Sequence, residues 1–457
     1  MSTLAKFETW RWGSSASLSA AAIVACSAGV GLLLAFAAVN PHVLIYVAGA
    51  TILAVLLLFP EFALALYVVV GDVKGDDRVA ALLPFDWTVA VGAVLAAGIV
   101  LNLLRGRRLA KMPPAYFLLA ALTVWMAASL AYTPDFDAGL EKLARFLSVT
   151  AIVIVAPFFV LGTPKEMKRF LAAFGVAAFA ICGYALLGLG REDRLVSPSD
   201  NTIGLGHVAC ALVMLIWFAA IPRDRWPFRL LFYALFSVPA IALIGSGSRG
   251  SAIACVLAIL LSLYFCRERL TDFAVIGAGG LLAIPFLGIP AASLDYLATV
   301  VKSGSVNALL DFRSDLLAYG WRLLQQHPLI GAGIDGFRYS SPNPNVYKWP
   351  HNIFLEVACE LGIPALLVVA TFFAAAARES WRQLRMSAPV CGTLPQLAAA
   401  WLLLGIVNAL NTGDINSDRT TWLFASIVFV IGAYARSDSK CEARAASSSR
   451  TASTELA

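Results

Sequence analysis

Residues 206–221 read GHVACALVMLIWFAAI, a run with no Asp, Glu, Lys or Arg. As an α-helix that rises about 1.5 Å per residue, such a run covers most of a hydrocarbon core roughly 30 Å thick. Similar apolar runs recur along most of the chain. Of the 457 residues, 60% are hydrophobic and 14% are charged, whereas about 25% are charged in soluble domains. The composition excludes an ordinary soluble enzyme and predicts an all-α polytopic membrane protein.

The hydropathy pattern predicts about 12 and up to 14 transmembrane helices. Two of the spans are weak, and the segment 62–80 is equally compatible with a re-entrant loop because Gly71, Asp72 and Lys74 interrupt it. The candidate spans are 18–39, 43–59, 62–80, 85–104, 115–132, 147–162, 170–189, 206–221, 229–246, 250–265, 273–290, 353–376, 396–412 and 421–436.

The basic residues predict the orientation of these spans. Arg105, Arg107, Arg108 and Lys111 form the strongest basic cluster, and the positive-inside rule places it in the cytoplasm. Alternating the loops from there places both termini in the cytoplasm. Residues 1–17 are polar and no cleavage-site pattern follows a short apolar core, so we expect an uncleaved first span. The net charge of +6 is spread over many loops, which gives no sign of nucleic-acid binding.

One segment predicted to lie outside, residues 291–350, is much longer than the other loops. Within it, Leu317, Trp321 and Leu324 recur at helical spacing after Arg313, which predicts a helix. Long loops of this kind usually serve function. The predicted domains are an N-terminal transmembrane bundle, an outer loop domain with helices, C-terminal transmembrane helices and a disordered cytoplasmic tail, at residues 1–290, 291–350, 351–436 and 437–457.

Arginines on the outer side of the membrane are unusual, because the positive-inside rule concentrates Lys and Arg on the cytoplasmic side. Each outer arginine therefore needs an explanation. A guanidinium offers five donors in a fixed fork that matches phosphate oxygens. Several such groups at one membrane face suggest a lipid-linked phosphate or diphosphate. The alternative is that each arginine extends to lipid headgroups or pairs with an acid such as Glu192 or Asp193. The candidates are Arg191, Arg194, Arg249 in a glycine-serine turn, Arg313, Arg322 and Arg338.

His351 precedes an apolar run whose helix Asn352 is placed to cap. The positive end of the helix dipole disfavours imidazolium, so a neutral imidazole there can act as a general base. Alternatively, His351 caps the helix or anchors at the interface beside Trp349. Glu356 and Glu360 lie on the same helix, where carboxylates need partners or a polar cavity. They would orient a site or satisfy a neighbouring polar group.

Several chemistries lack a sequence signature. The chain has no phosphate-binding P-loop, no G-x-S-x-G turn and no C-x-x-C pair, so ATP hydrolysis, lipase chemistry and a zinc site have no support. We predict no metal and no cofactor. The stretch that contains Phe136, Leu140, Leu143 and Leu147 is amphipathic and predicts an interfacial helix.

The order of the motifs in the last half of the chain resembles the signature of the O-antigen ligase and polymerase superfamily. That signature is an arginine and a tryptophan, a P-L-x-G-x-G turn, and an H-N pair that opens a transmembrane helix with E-x-G. The glycine-serine turn is similar to the family's S-R-G element. The matching residues are Arg249, Arg313, Trp321, Pro328 to Gly333, His351-Asn352 and Glu360 to Gly362.

This resemblance implies a GT-C-like integral membrane glycosyltransferase with no metal requirement. Its ligase branch transfers O-antigen polysaccharide from undecaprenyl diphosphate to lipid A-core at the periplasmic face of the Gram-negative inner membrane. Combined with the residue chemistry, it predicts that arginines clamp the diphosphate and that His351 activates the acceptor in an inverting displacement. The expected clamp is Arg191, Arg249 and Arg313, and the expected substrate contacts are Arg194, Asn352, Arg338 and Glu356.

Two other functions remain open at this point. An O-antigen polymerase would use the same donor with a second lipid-linked glycan as acceptor. A flippase or other transporter would carry the lipid-linked glycan without forming a bond, and it would need a charged path at the bilayer midplane. The candidate residues lie instead at the outer ends of spans.

Overall fold

The structure is a computed structural model, and its described residues are helical with no strand. Side chains at 41–48, 280–283 and 306–313 lie outside the description. The described residues are 41–75, 86–107, 109–190, 193–219, 225–283, 289, 292–295, 306–341, 348–386, 392–434 and 436. The expected first span, 18–39, and the expected disordered tail, 437–457, therefore lie outside them.

The described helices follow the hydropathy pattern closely. In chain order they are α1 (Pro41–Leu58), α2 (Pro60–Val69), α3 (Trp87–Leu104), α4 (Tyr116–Ser129), α5 (Phe136–Arg145), α6 (Ala151–Val160), α7 (Pro164–Leu186), α8 (Thr202–Phe218), α9 (Trp226–Ser246), α10 (Arg249–Phe265), α11 (Leu270–Ala283), α12 (Val306–Gln326), α13 (Gly336–Ser340), α14 (Ile353–Met386), α15 (Leu394–Asn411) and α16 (Arg419–Tyr434).

Six of these segments are long and apolar enough to cross a membrane, with α5 and α6 counted as one. The weak spans α1 and α2 meet at a bend of 108°, so together they form a broken span or a re-entrant loop. Four shorter apolar helices, α4, α8, α10 and α16, pack among the long ones. Several apolar helices in one chain indicate a multi-pass membrane protein, while the count of 12 to 14 spans stays a prediction.

The stretch expected to form an interfacial helix is helix α5, and its position at the membrane interface stays a prediction. Helix α5 continues through a π turn, Phe146–Thr150, into α6, and the whole segment Phe136–Val160 is one apolar helix of 25 residues. The amphipathic pattern arises because one side of α5 packs inward at Leu143 while Phe136 and Leu140 stay exposed.

The outer loop contains the helix that periodicity predicted, α12, but a different face is buried. Leu316, Leu323 and Leu324 are buried, whereas Trp321 is 57% exposed. Gly320 explains the difference, because a Cβ atom at that position would lie 3.0 Å from the Leu355 side chain. The small residue lets α12 pack closely against α14.

Helix α14 is broken at Gly362, whose backbone has φ 86° and ψ 173°. In an unbroken helix the Cys359 and Glu360 carbonyls would accept from residues 363 and 364. Residue 364 is a proline without an N–H, and the Ile363 N–H donates instead to the Pro328 carbonyl at 2.9 Å. The two freed carbonyls accept from the N–H groups of Ala332 and Gly333, each at 2.9 Å.

The segment Pro328–Gly333, called the glycine turn below, therefore replaces the hydrogen bonds that the broken helix lacks. Its glycines permit the close approach, because a Cβ at Gly331 would overlap the Glu360 backbone. The far side of the turn is held by the end of α4, where the Tyr132 hydroxyl donates to the Ile330 carbonyl at 2.7 Å. The P-L-x-G-x-G and E-x-G motifs thus form one structural unit.

Replacing Gly362 with alanine should destabilise the protein. Backbone at this φ and ψ is essentially restricted to glycine, at a cost of about 1–3 kcal/mol for other residues, and the added Cβ would overlap the Leu329 carbonyl. We expect a clear fall in the Tm of the purified Gly362→Ala variant in detergent. Gly183→Ala is the matched control, since nothing lies within 4 Å of a Cβ at that position. Equal Tm values for both variants would contradict the role of the break.

Candidate functional site at the outer helix ends

The end of α14 that the sequence predicts to face outward, called the outer end below, places two of the predicted site residues, His351 and Asn352, next to each other. Asn352 caps the helix as predicted, since its Oδ1 accepts from the Leu355 N–H at 3.0 Å. His351 adopts φ +54°, a left-handed conformation that is uncommon for residues other than glycine. Its ring meets the Trp349 ring edge-on, with centroids 5.9 Å apart. The imidazole is half-buried beside the helix start.

One turn deeper, a buried cation joins the carboxylates of α14. The Nζ of Lys142 on α5 lies 2.6 Å from Glu356 Oε1 and 2.8 Å from both carboxylate oxygens of Glu360. Both glutamates are almost fully buried. The second Glu356 oxygen accepts from the Ile415 N–H at 3.0 Å. The carboxylate expected to contact substrate is therefore bound within the protein.

The same cluster extends to the short helix α13. Glu360 Oε2 accepts from the Asp335 N–H at 3.1 Å, and Asp335 Oδ1 lies 4.0 Å from Lys142 Nζ. Arg338 lies 4.0 Å from the other Asp335 oxygen and keeps 41% of its side chain exposed. Burial raises the pKa of Asp335, although Lys142 and Arg338 oppose the shift. Arg338 is thus the exposed end of a series of ionic contacts that runs through Asp335 to Lys142.

A second group of predicted residues surrounds the glycine-serine turn between α9 and α10. Gly247 has φ +63° and ends α9. Arg194 Nε donates to the Ser246 carbonyl at 2.9 Å, so this guanidinium holds the carboxyl end of α9. Ser248 and Ser251 are joined by a hydroxyl hydrogen bond of 3.0 Å. Arg249, half-buried, is the first residue of α10.

The two groups are joined by the connector between α15 and α16, residues 412–418. A Cβ at Gly250 would lie 3.4 Å from Thr412 Cγ2, so the glycine-serine turn packs on one end of the connector. At its other side, the Ile415 N–H binds Glu356. The structure thus brings Arg194 and Arg249 together in one group and His351, Asn352, Glu356 and Arg338 in another, on opposite sides of one segment.

A polar cavity of about 550 Å³ opens at this end of the bundle. It lies between the ends of α2, α3, α5 and α8 and the connector. Its described lining carries both signs of charge, and none of the predicted arginines contributes to it. The ionisable lining residues are Asp72, Lys74, Asp86, Glu141, Arg145, His207, Asp418 and Arg419.

Charges in this outer cavity are partly paired. Lys74 binds Asp86 at 2.7 Å. Burial alone would raise the pKa of Asp86, but the hydrogen bonds from Lys74 and Thr88 lower it to about 2. Burial raises the pKa of Asp418, which His207 and the Thr421 hydrogen bonds oppose. Arg419 donates to the Tyr67 carbonyl at 3.1 Å and lies over the Tyr67 ring.

Two clamp residues cannot be placed in this geometry. Arg191 lies outside the described residues. The backbone of Arg313 belongs to α12, which packs on α14, but its side chain lies outside the description.

Sequence reasoning missed several polar residues that the fold brings together. Three basic residues lie at the outer end: Lys142, Arg145 and Arg419. The only signal for them in the sequence is that they lie in segments predicted to be outside. Sequence reasoning also passed over Asp135 and Asp137, which form an Asp-x-Asp pair; the Asp135 side chain caps α5 by accepting from Ala138 N–H at 3.0 Å. Among the described residues, no group of three His, Cys, Asp or Glu side chains could hold a metal ion.

Comparison with known proteins identifies the region that contains this site. Residues 234–370 match the family model described as O-Antigen ligase. This part of the chain, called the matched region below, is similar to the O-antigen ligase family. The matched region includes the glycine-serine turn, α12, the glycine turn, His351-Asn352 and the break in α14. The resemblance inferred from the motifs is therefore confirmed.

A curated relative extends the similarity beyond the matched region. The chain is 27% identical to an O-antigen ligase of Pseudomonas aeruginosa over 312 residues, which cover 66% of this chain and 72% of the relative. This similarity is longer than the matched region and therefore reaches residues outside it.

Removing the buried Lys142 charge should cost more than removing an exposed one. A Lys142→Met variant leaves two buried carboxylates without their cation, and breaking such a pair typically costs about 3–5 kcal/mol. We expect a large fall in Tm, partly recovered when Glu356→Gln and Glu360→Gln are added. Exposed Lys165 provides the control, Lys165→Met. If Lys142→Met unfolds at the same temperature as that control, the cluster does not support the site.

Proposed function

We propose that this protein is an O-antigen ligase that transfers O-antigen polysaccharide from undecaprenyl diphosphate to lipid A-core. The observation that carries the proposal is the position of the family motifs. The glycine turn fills the break in α14 and so fixes the outer end of that helix, where His351 and Asn352 lie. The match of residues 234–370 to the O-antigen ligase family model and the similarity to the Pseudomonas relative support the same activity.

The proposed compartment is the periplasmic side of a bacterial inner membrane, with both termini in the cytoplasm. The basic segment that includes Arg105 and Lys111 and the outer ends of α14 and α16 lie at opposite ends of the bundle, since Lys111 lines a cavity with the last turns of those two helices. The positive-inside rule then assigns the His351 end to the periplasm. Donor and acceptor, both lipid-linked, would meet there.

The proposed donor clamp consists of Arg191, Arg249 and Arg313. A diphosphate gains negative charge as the bond from the anomeric carbon to its oxygen breaks, and fixed guanidinium groups stabilise that charge. Arg249 begins α10, so the helix dipole adds positive potential at the same point. Arg194 holds the turn in which Arg249 stands, and this support would keep the clamp rigid.

His351 is the proposed general base. It would take the proton from the attacking acceptor hydroxyl, while the diphosphate leaves from the opposite face of the sugar and the configuration inverts. Lys142 pairs with both glutamates below it and offsets one of their two negative charges, which weakens their repulsion of the diphosphate. Glu356 would therefore act as a support of the helix end, with Asn352 and Arg338 nearer to the substrates.

The activity is tested by reconstitution. Purified protein in liposomes, given undecaprenyl-diphosphate glycan and lipid A-core, should produce a slower-migrating lipopolysaccharide band. Donor alone should give no longer glycan. A glycan that lengthens on the lipid carrier without lipid A-core would identify a polymerase, and movement of donor across the bilayer without either product would identify a flippase.

The base assignment predicts a large kinetic effect at one histidine. Loss of a general base typically lowers turnover by about 10²–10⁴-fold, so we expect the ligation rate of His351→Gln to fall by at least about 10²-fold. His327→Gln is the matched control, because His327 is exposed at the end of α12. Full ligation by a folded His351→Gln protein would rule out His351 as the base.

A further inference from the structure

A second and larger cavity lies at the opposite end of the bundle. Its volume is about 1570 Å³, and it is formed by the last turns of α14 and α16 with the connectors that precede α4 and α7. We call it the inner cavity. It shares no described lining residue with the outer cavity. Glycan transfer as proposed above makes no use of it.

The inner cavity is strongly cationic. Among its described lining residues, Glu379 is the single acid. Arg382 binds Glu379 through two contacts of 3.0 and 2.6 Å, and Arg436 adds a contact of 2.9 Å. One carboxylate therefore pairs with two guanidinium groups, and the described lining keeps a net positive charge. Its five basic lining residues are Lys111, Arg378, Arg382, Arg385 and Arg436.

The same cavity has an apolar and aromatic wall. Ala375, Phe429 and Ala433 line it from α14 and α16. Trp381 is 47% exposed at its edge, and the Arg385 guanidinium lies 5.1 Å from the centre of its ring. Tryptophan side chains at this depth are typical of the boundary between headgroups and hydrocarbon. The cavity thus offers cations beside apolar surface at the end of the membrane helices.

We propose that the inner cavity binds the phosphate headgroup of an anionic phospholipid of the cytoplasmic leaflet. Guanidinium groups match phosphate oxygens in charge and in geometry, and basic pockets between transmembrane helices on the cytoplasmic side are suited to lipids with more than one phosphate. The lipid's acyl chains would lie along Leu109 and Trp381, the lining residues whose apolar side chains are 44% and 47% exposed. The positive-inside rule alone explains exposed cations, but it does not require them to line one partly apolar cavity.

Lipid titration of the purified protein tests this site. Cardiolipin, phosphatidylethanolamine and inorganic phosphate are added separately in detergent, and Tm is followed by intrinsic fluorescence. We expect cardiolipin to raise the Tm of the unaltered protein, with little effect of the other two. The Arg378→Ala, Arg385→Ala double variant should need at least about tenfold more cardiolipin for the same shift.

The matched control is Arg267→Ala, because Arg267 is an exposed arginine in the connector between α10 and α11 and does not line the inner cavity. Its cardiolipin response should equal that of the unaltered protein. Equal weakening in the control would overturn the site in favour of general charge attraction, and an equal response to inorganic phosphate would overturn the lipid as ligand. Native mass spectrometry of the unaltered protein gives a readout without substitutions: preferential retention of phosphatidylethanolamine over cardiolipin would also overturn the proposal.

Discussion

The broken helix α14 places a constraint on everything around it. Two carbonyls near Gly362 lose their helical partners in a buried part of the bundle, where an unpaired carbonyl is costly. The glycine turn supplies the missing donors at 2.9 Å. Because this turn follows α12 and precedes the His351 helix, its docking ties the outer loop to the membrane helices. The outer end of α14 is thereby held at a defined position, as a site that orients two lipid-linked substrates requires.

A buried ionic cluster also holds the outer end of α14 in place. Lys142 joins α5 to two glutamates of α14, and Ile415 joins one of them to the connector before α16. On the other side of this connector stands the glycine-serine turn with Arg194 and Arg249. The helix of the proposed base and the turn that carries Arg249 are therefore attached to one shared segment, although they come from distant parts of the chain. The opposite end of the bundle carries a separate basic cavity.

Sequence reasoning predicted the helices well because apolar runs must become helices in a membrane. It also predicted the Asn352 cap and the glycine-serine turn, which depend on neighbouring residues alone. It did not predict the break at Gly362, although Gly362 and Pro364 together are a helix-breaking signal, because the apolar run continues on both sides. Lys142 escaped notice because its partners lie 214 and 218 residues away along the chain. The exposed Trp321 shows the same limit, because Gly320 and not side-chain size decides which face of α12 packs.

The proposed mechanism requires that His351 faces the compartment outside the cytoplasm. Labelling of single cysteines in intact cells measures this directly, in a background whose native cysteines are replaced. A membrane-impermeant maleimide should label the His351→Cys protein without permeabilisation, and should label an Arg385→Cys protein only after the membrane is opened. The reverse pattern would place the proposed base in the cytoplasm and contradict the account.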